Sequence, residues 1–232
     1  MKRKINVRKV CIFIIIITAI IISLVSMPSE EHAEKYEPMD NIAVANTKDV
    51  PAKKVVIDAG HGGDSSPGCV VNNVMEKHIC LEIANKVKSK LEDNGYIVIM
   101  TRDKDVDVSL RERIEIANKS GADVFVSIHQ NSMEHDETTN GIETWFNPEK
   151  DECSRVLAKD IQEEIIKTTG ASDKGIKESE EFAVIKGTNM ASCLVETGFL
   201  TSRAEHKKLQ TKEYQNKIAD GIVNGIVKYI DF

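Results

Sequence analysis

Three short apolar runs in this chain each end on a residue that can do chemistry. Residues 54–63 read KVVIDAGHGG, in which Val55, Val56 and Ile57 lead through Asp58 and Ala59 to His61, set among Gly60, Gly62 and Gly63. Residues 123–128 deliver His129 within SIHQNS, and residues 191–195 end at Glu196. Catalytic zinc takes three protein ligands, commonly imidazole nitrogen and carboxylate oxygen, and keeps one position open for water. His61 and His129 supply two nitrogens. Glu76, at the start of the first expected helix, supplies the third ligand. A carboxylate outside the ligand set must then take a proton from water and pass it to the leaving group; Glu196 is placed for that. The chemistry is metal-assisted hydrolysis.

Taken singly, each residue also has a plainer reading. A histidine after a strand is often structural or solvated, Glu76 suits a helix N-terminus electrostatically, and Glu196 could be an ion-pair partner. The case rests on their joint placement. Three further residues join as binding or supporting groups: Asp58 as a partner that orients the site, Arg102 as a substrate contact or an anchor for the site loops, and Asn131 as a hydrogen-bonding neighbour of His129. His32, His78, His135 and His206 lie in polar or charged surroundings and are set aside.

The elements that position these groups alternate. Ile79, Ile83, Val87 and Leu91 recur every four residues and predict a helix from Glu76 to the pair Asn94-Gly95, a C-cap signal. Residues 96–100 predict a second strand, Ser109 and Glu112 a capping box opening the next helix, and Gly121 its end. Leu110, Ile114 and Ala117 are expected on its inner face. A strand at 142–146, a helix around Val156, Leu157, Ile161 and Ile165, a short strand at 183–185 and a second capping box at Ser202–Glu205 follow. Tyr214, Ile218, Ile222, Ile226 and Ile230 mark a final amphipathic helix. Strands alternating with helices predict an α/β three-layer sandwich with a largely parallel or mixed sheet and helices on both faces. Sites in such folds lie beyond the carboxyl ends of the strands.

The N-terminus differs from the rest. Lys2, Arg3, Lys4, Arg8 and Lys9 precede an uncharged apolar stretch, residues 10–27, which reads as a signal anchor or signal peptide; the chain after it is expected to be exported, and its contact with a membrane is through that segment only. Residues 28–53, polar with three prolines, read as a flexible tether, and residues 54–232 as the folded domain. Beyond residue 27 there are 26 basic against 37 acidic residues, a balance that argues against nucleic acid as a partner. Cys11, Cys69, Cys80, Cys153 and Cys193 lack metal-finger spacing and are expected as small hydrophobes in or near the core rather than as a disulfide framework.

IDAGHGG, Glu76, MTRD, SLRERIEIAN, ADVFVSIHQNS, GIETWF and LVETGFLTS, in that order over about residues 53–232, resemble the zinc-dependent N-acetylmuramoyl-L-alanine amidases of the type 3 family. The resemblance implies zinc held by His61, Glu76 and His129, with Glu196 as acid/base. It further implies hydrolysis of the amide between the lactyl group of N-acetylmuramic acid and the L-alanine of the peptidoglycan stem peptide. The chain has Lys174-Gly175 where the family often has Arg-Gly, Ala191 near a usual proline, and Ser202 in place of asparagine. A lone catalytic domain behind an N-terminal anchor is similar to the endospore cortex amidases that prepare muramic-δ-lactam, which implies sporulation as the setting and a lipoprotein activator as a partner. Two other readings compete: a peptidoglycan deacetylase with Asp58, His61 and His129 as ligands, and a wall-binding protein with no catalysis.

Overall fold

The computed structural model describes residues 53–150 and 152–231. The expected N-terminal anchor and almost all of the tether lie outside the described residues. Among those residues no helix is long and apolar enough to cross a membrane.

The chain runs β1 (Lys54–Ala59), β2 (Val70–Val71), β3 (Val74–Met75), α1 (Glu76–Asp93), β4 (Ile97–Met100), α2 (Leu110–Ser120) and β5 (Val124–Asn131). It continues through β6 (Ile142–Phe146), α3 (Glu152–Thr169), β7 (Asp173–Glu178), α4 (Ala183–Gly187), β8 (Ala191–Phe199), α5 (His206–Leu209) and α6 (Lys212–Asp231). Six strands form one sheet in the order β4-β1-β5-β8-β6-β7, and β2 pairs with β3 in a separate hairpin. The sheet is parallel from β4 to β8; β6 then runs antiparallel to β8, and β7 parallel to β6.

Strands buried on both faces read as continuous apolar runs, and their side chains alternate between two cores. Val55, Ile57, Val124, Val126, Cys193 and Val195 join the large core under α1, α3 and α6. Val56, Phe125 and Leu194 join a small core under α2 and α4. The two-residue period then settles where the chemistry lies. Asp58, His129 and Glu196 continue the Val56, Phe125 and Leu194 parity, so all three project on the thinly covered face, just past the end of its small core.

The large face is sealed by α6 against α3. Isoleucines at 218, 222 and 226 form the stripe that the spacing predicts, but Gly221 and Gly225 flank it. A Cβ at either glycine would stand 2.4 Å from the Cα of Ile165 or Ile161 on α3, so the helices meet backbone to backbone.

The capping box at Ser109 and Glu112 forms with both reciprocal bonds, and Gly121 closes α2 at φ 64°. Four expectations change. Residues 183–185 belong to the helix α4 rather than a strand. Ser202–Glu205 is not a capping box: the Glu205 carboxylate accepts the N–H groups of Gly141 and Phe199 instead, tying β8 to the loop before β6. Leu110 is 58% exposed, and the buried residues of α2 are Arg113 and Ala117. Cys80 and Cys193 are core residues and Cys69 is half-buried, whereas Cys153 is exposed; all four are free thiols.

Candidate active site

His61 sits in the loop after β1. The Gly60 amide still donates to Ile128 O of β5 at 3.0 Å. The backbone then turns at His61 into the left-handed region, φ 58°, a conformation that costs a non-glycine residue about 1–3 kcal/mol. The ring's Nδ1 lies 3.1 Å from Ser66 Oγ, which leaves Nε2 facing inward. Glu76 is the first residue of α1, delivered by the β2–β3 hairpin. Its carboxylate accepts two main-chain N–H groups, Cys69 on Oε2 at 2.9 Å and Gln130 on Oε1 at 3.1 Å. His129 stands near the end of β5, where the pairing with β8 shifts register before Asn131.

These three side chains converge. His61 Nε2 and His129 Nδ1 each lie 3.1 Å from Glu76 Oε1, and one donor atom from each residue falls within 4.8 Å of the others. Burial would push the Glu76 carboxyl up, but hydrogen bonds and charge from His129 and His61 outweigh it and hold the group well below the usual carboxylate range. An ionised oxygen and two imidazole nitrogens are the donor set that zinc takes. The space is also kept open by glycine: a Cβ at Gly60 would meet the His129 ring at 2.4 Å, and one at Gly68 would meet Glu76 Oε2 at 2.6 Å and His61 Cδ2 at 2.8 Å. The group could therefore hold a metal ion.

Glu196 pairs with His129 across the β5–β8 ladder and with Glu143 across the β8–β6 ladder. It is 9% exposed, and its Oε2 is buried without a hydrogen-bond partner. Desolvation, followed by the charges of Glu76 and Glu143, pushes its carboxyl well above the ordinary range. The carboxylate of its cross-strand partner Glu143 is, by contrast, satisfied. Glu143 accepts from Asn131 Nδ2 at 2.7 Å and Trp145 Nε1 at 3.1 Å, and pairs with Lys177 Nζ at 2.6 Å. Among the described residues, Glu196 Oε2 is the buried carboxylate oxygen without a hydrogen-bond partner.

All four residues line a cavity of about 780 Å³ whose further wall is built from Leu110, Phe182 and Val184. The exposure of Leu110 is thereby explained, since it faces this cavity rather than the core. Asn131 lines the same cavity with its amide fixed by Glu143.

Asp58 and Arg102 stand behind the site. Asp58 is 1% exposed and its oxygens are taken by Thr101 Oγ1, Ser127 Oγ and Arg113 Nη1, each at 2.6 Å. Burial would raise its carboxyl; Arg113 and the two hydroxyls outweigh that and lower it. Asp58 is not part of the convergent donor group, which removes the structural basis for an Asp58, His61, His129 ligand set. Arg102 donates to the carbonyls of Ala59, Gly60, Lys77 and Lys104, the anchoring role rather than a substrate contact.

Sequence reasoning misses Arg113 and Gly68. An arginine inside SLRERIEIAN reads as a solvated helix face, and only its position four residues before Ala117, which shares its face, could have placed it inward. Gly68 looks like a loop residue, and the side chains that need its space, His61 and Glu76, are brought against it only by the folding of the loop between them.

A family model described as N-acetylmuramoyl-L-alanine amidase matches residues 55–228. The chain superposes on the crystal structure of N-acetylmuramoyl-L-alanine amidase from Clostridium difficile 630 with TM-score 0.75 and 39% identity, covering 78% of this chain and 97% of that one. It superposes on the CwlD amidase from Clostridioides difficile, in complex with the GerS lipoprotein, with TM-score 0.73 and 34% identity, covering 77% and 98%. The germination-specific N-acetylmuramoyl-L-alanine amidase of Bacillus subtilis is 30% identical over 191 residues, 76% of this chain and 79% of that one. The chain belongs to the N-acetylmuramoyl-L-alanine amidase family and is an enzyme of peptidoglycan hydrolysis.

Proposed function

We propose that this amidase is zinc-dependent, that His61, Glu76 and His129 hold the ion, and that Glu196 is the catalytic acid/base. The observation that carries the reading is the convergence of those three donors beside Glu196, the cross-strand partner of His129, whose buried carboxylate oxygen has no hydrogen-bond partner. A bound zinc ion supplies Lewis acidity toward the lactyl carbonyl and lowers the proton affinity of water. Glu196, with its raised proton affinity, takes the proton of the attacking water and delivers it to the departing alanine nitrogen. Burial keeps bulk water from competing for that proton. Glu143, itself held by Lys177 and Trp145, holds Asn131 at the cavity wall, where it aligns the substrate's polar backbone.

In domain terms, residues 54–232 form the catalytic unit, carried on a tether at 28–53 behind an N-terminal signal anchor or signal peptide at 1–27. The enzyme then works on the outer side of the cell membrane. Its setting is proposed as cortex peptidoglycan of a spore former, where muramoyl groups stripped of peptide become muramic-δ-lactam, with a lipoprotein as activating partner. The germination-specific relative and the lipoprotein-bound structural neighbour support that setting.

The test uses purified protein with and without zinc on defined muropeptides. New alanine amino groups with all acetyl groups retained are expected; acetate release would point to the deacetylase, and zinc binding without any product to a wall-binding protein. Glu196→Gln should keep zinc and fold while losing hydrolysis. Retained hydrolysis would overturn the acid/base assignment, and a parent that binds no zinc with or without a lipoprotein partner would overturn the metal.

A further inference from the structure

Among the three proposed ligands, His61 is the least secured by regular structure. His129 lies in the β5 ladder, and Glu76 has main-chain N–H groups on both carboxylate oxygens. His61 sits in an irregular loop in the left-handed region. Two buried arginines hold that loop. Arg113 donates through Nη1 to Ala59 O at 2.6 Å, through Nη2 to His61 O at 2.5 Å and through Nε to Val108 O at 3.0 Å. Arg102 donates through Nε to Ala59 O at 2.9 Å, and its Nη2 bridges Gly60 O at 2.7 Å and Lys77 O at 2.8 Å. The carbonyls of three successive residues are therefore fixed by guanidinium groups. The Arg102 bridge also ties the His61 loop to the residue after Glu76. Behind Arg113 stands Asp58, itself held by Thr101 and Ser127.

We propose that Arg113 and Arg102 are positioning residues that set His61, and its spacing to Glu76, before a metal ion arrives, so that metal affinity depends on two side chains that contribute no ligand atom. The inference rests on the metal site proposed above. Planar guanidinium groups serve several fixed acceptors at once, whereas a lysine ammonium on a flexible stem serves them poorly. Groups that orient metal ligands typically govern affinity by about 10- to 100-fold.

The experiment measures zinc affinity by competition with a chelator for the parent, Arg113→Lys, Arg102→Lys and a control, Ile226→Val, a core truncation on α6. Hydrogen exchange at the Gly62 amide, bonded to Ser66 O, is followed in the metal-free proteins. The proposal expects both lysine variants to fold, to bind zinc about 10- to 100-fold more weakly, to recover kcat when zinc is saturating, and to exchange the Gly62 amide faster. The control should lose melting temperature with affinity and exchange unchanged. Lysine variants that melt earlier yet keep parental affinity and protection, as the control does, would reduce the arginines to scaffolding and overturn the proposal. Should Arg113→Lys not fold, Arg102→Lys, which leaves the Asp58–Arg113 pair intact, decides by the same criteria. A parent that binds no zinc defeats the metal reading instead, and the Gly62 exchange still decides whether the arginines set the loop.

Discussion

Asp58 on β1 and Glu196 on β8 lie on the same face of the sheet with β5 between their strands, and both are nearly buried. Their protonation moves in opposite directions. Asp58 sinks below the ordinary carboxylate range because a guanidinium and two hydroxyls satisfy its oxygens, and Glu196 rises because burial and two nearby carboxylates act on an oxygen with no partner. The difference lies in the partners, not in depth. A buried carboxylate with both oxygens hydrogen-bonded is a structural group, while one left unsatisfied is held at a cost that a reaction can use.

Breaking the reactive member should have the largest effect. Glu196→Gln is expected to cut turnover by about 10²–10⁴-fold, the range of a general acid–base contribution, with zinc content unchanged in mass spectrometry of the native protein. Breaking the structural member should instead destabilise the fold. Asp58→Ala leaves the Arg113 charge buried without a counter-ion and should lower unfolding free energy by about 3–5 kcal/mol, measured by urea titration; a loss within error would show that the pair is not holding the loop.

The pH dependence sharpens the contrast because the two signs differ. Asp58 has a depressed folded pKa, so its contribution is fully present above the unfolded value, about 3.9, and is lost as pH falls through the folded value. Parent stability should therefore drop below about pH 4, and Asp58→Asn should flatten that drop. Glu196 has a raised folded pKa, so in the metal-free protein stability falls as pH rises above the unfolded value, about 4.3. Glu196→Gln should remove that fall, making the metal-free variant more stable than the parent at neutral pH by about 1 kcal/mol. Equal pH profiles for parent and variant would contradict the raised proton affinity.

The smallest expected effect tests a case between the two. Glu143 is as buried as Asp58 but shares its oxygens among Asn131, Trp145 and a partly exposed Lys177. Lys177→Met should cost about 1 kcal/mol and raise KM through a loosened Asn131 while leaving zinc affinity unchanged.

Much of this site is legible in the chain. Apolar β-branched runs announce buried strands, and residues at or just past the place where such a run stops lie at the carboxyl ends of a parallel sheet's strands, so the placement of His61, His129 and Glu196 can be read directly. The capping box at Ser109 is legible because its bonds lie within one turn. Ser202–Glu205 has the same spelling and fails, because Glu205 is buried and the N–H groups of Gly141 and Phe199 compete for its carboxylate. Residues 183–185 carry too short an apolar run to separate strand from helix.

The sequence by itself determined the five apolar strands β1, β4, β5, β6 and β8, which of their side chains share a face through the two-residue period, and which residue types could hold a metal and move a proton. Only the tertiary structure decided what each buried charge touches. Whether Asp58 is satisfied, whether Glu196 is left unpaired and whether Arg113 points inward each depend on atoms brought from elsewhere in the chain, separated from them by as many as 69 positions in the case of Ser127 and Asp58. Hydrogen-bond satisfaction is a property of those meetings, and it separates a scaffold carboxylate from a reactive one.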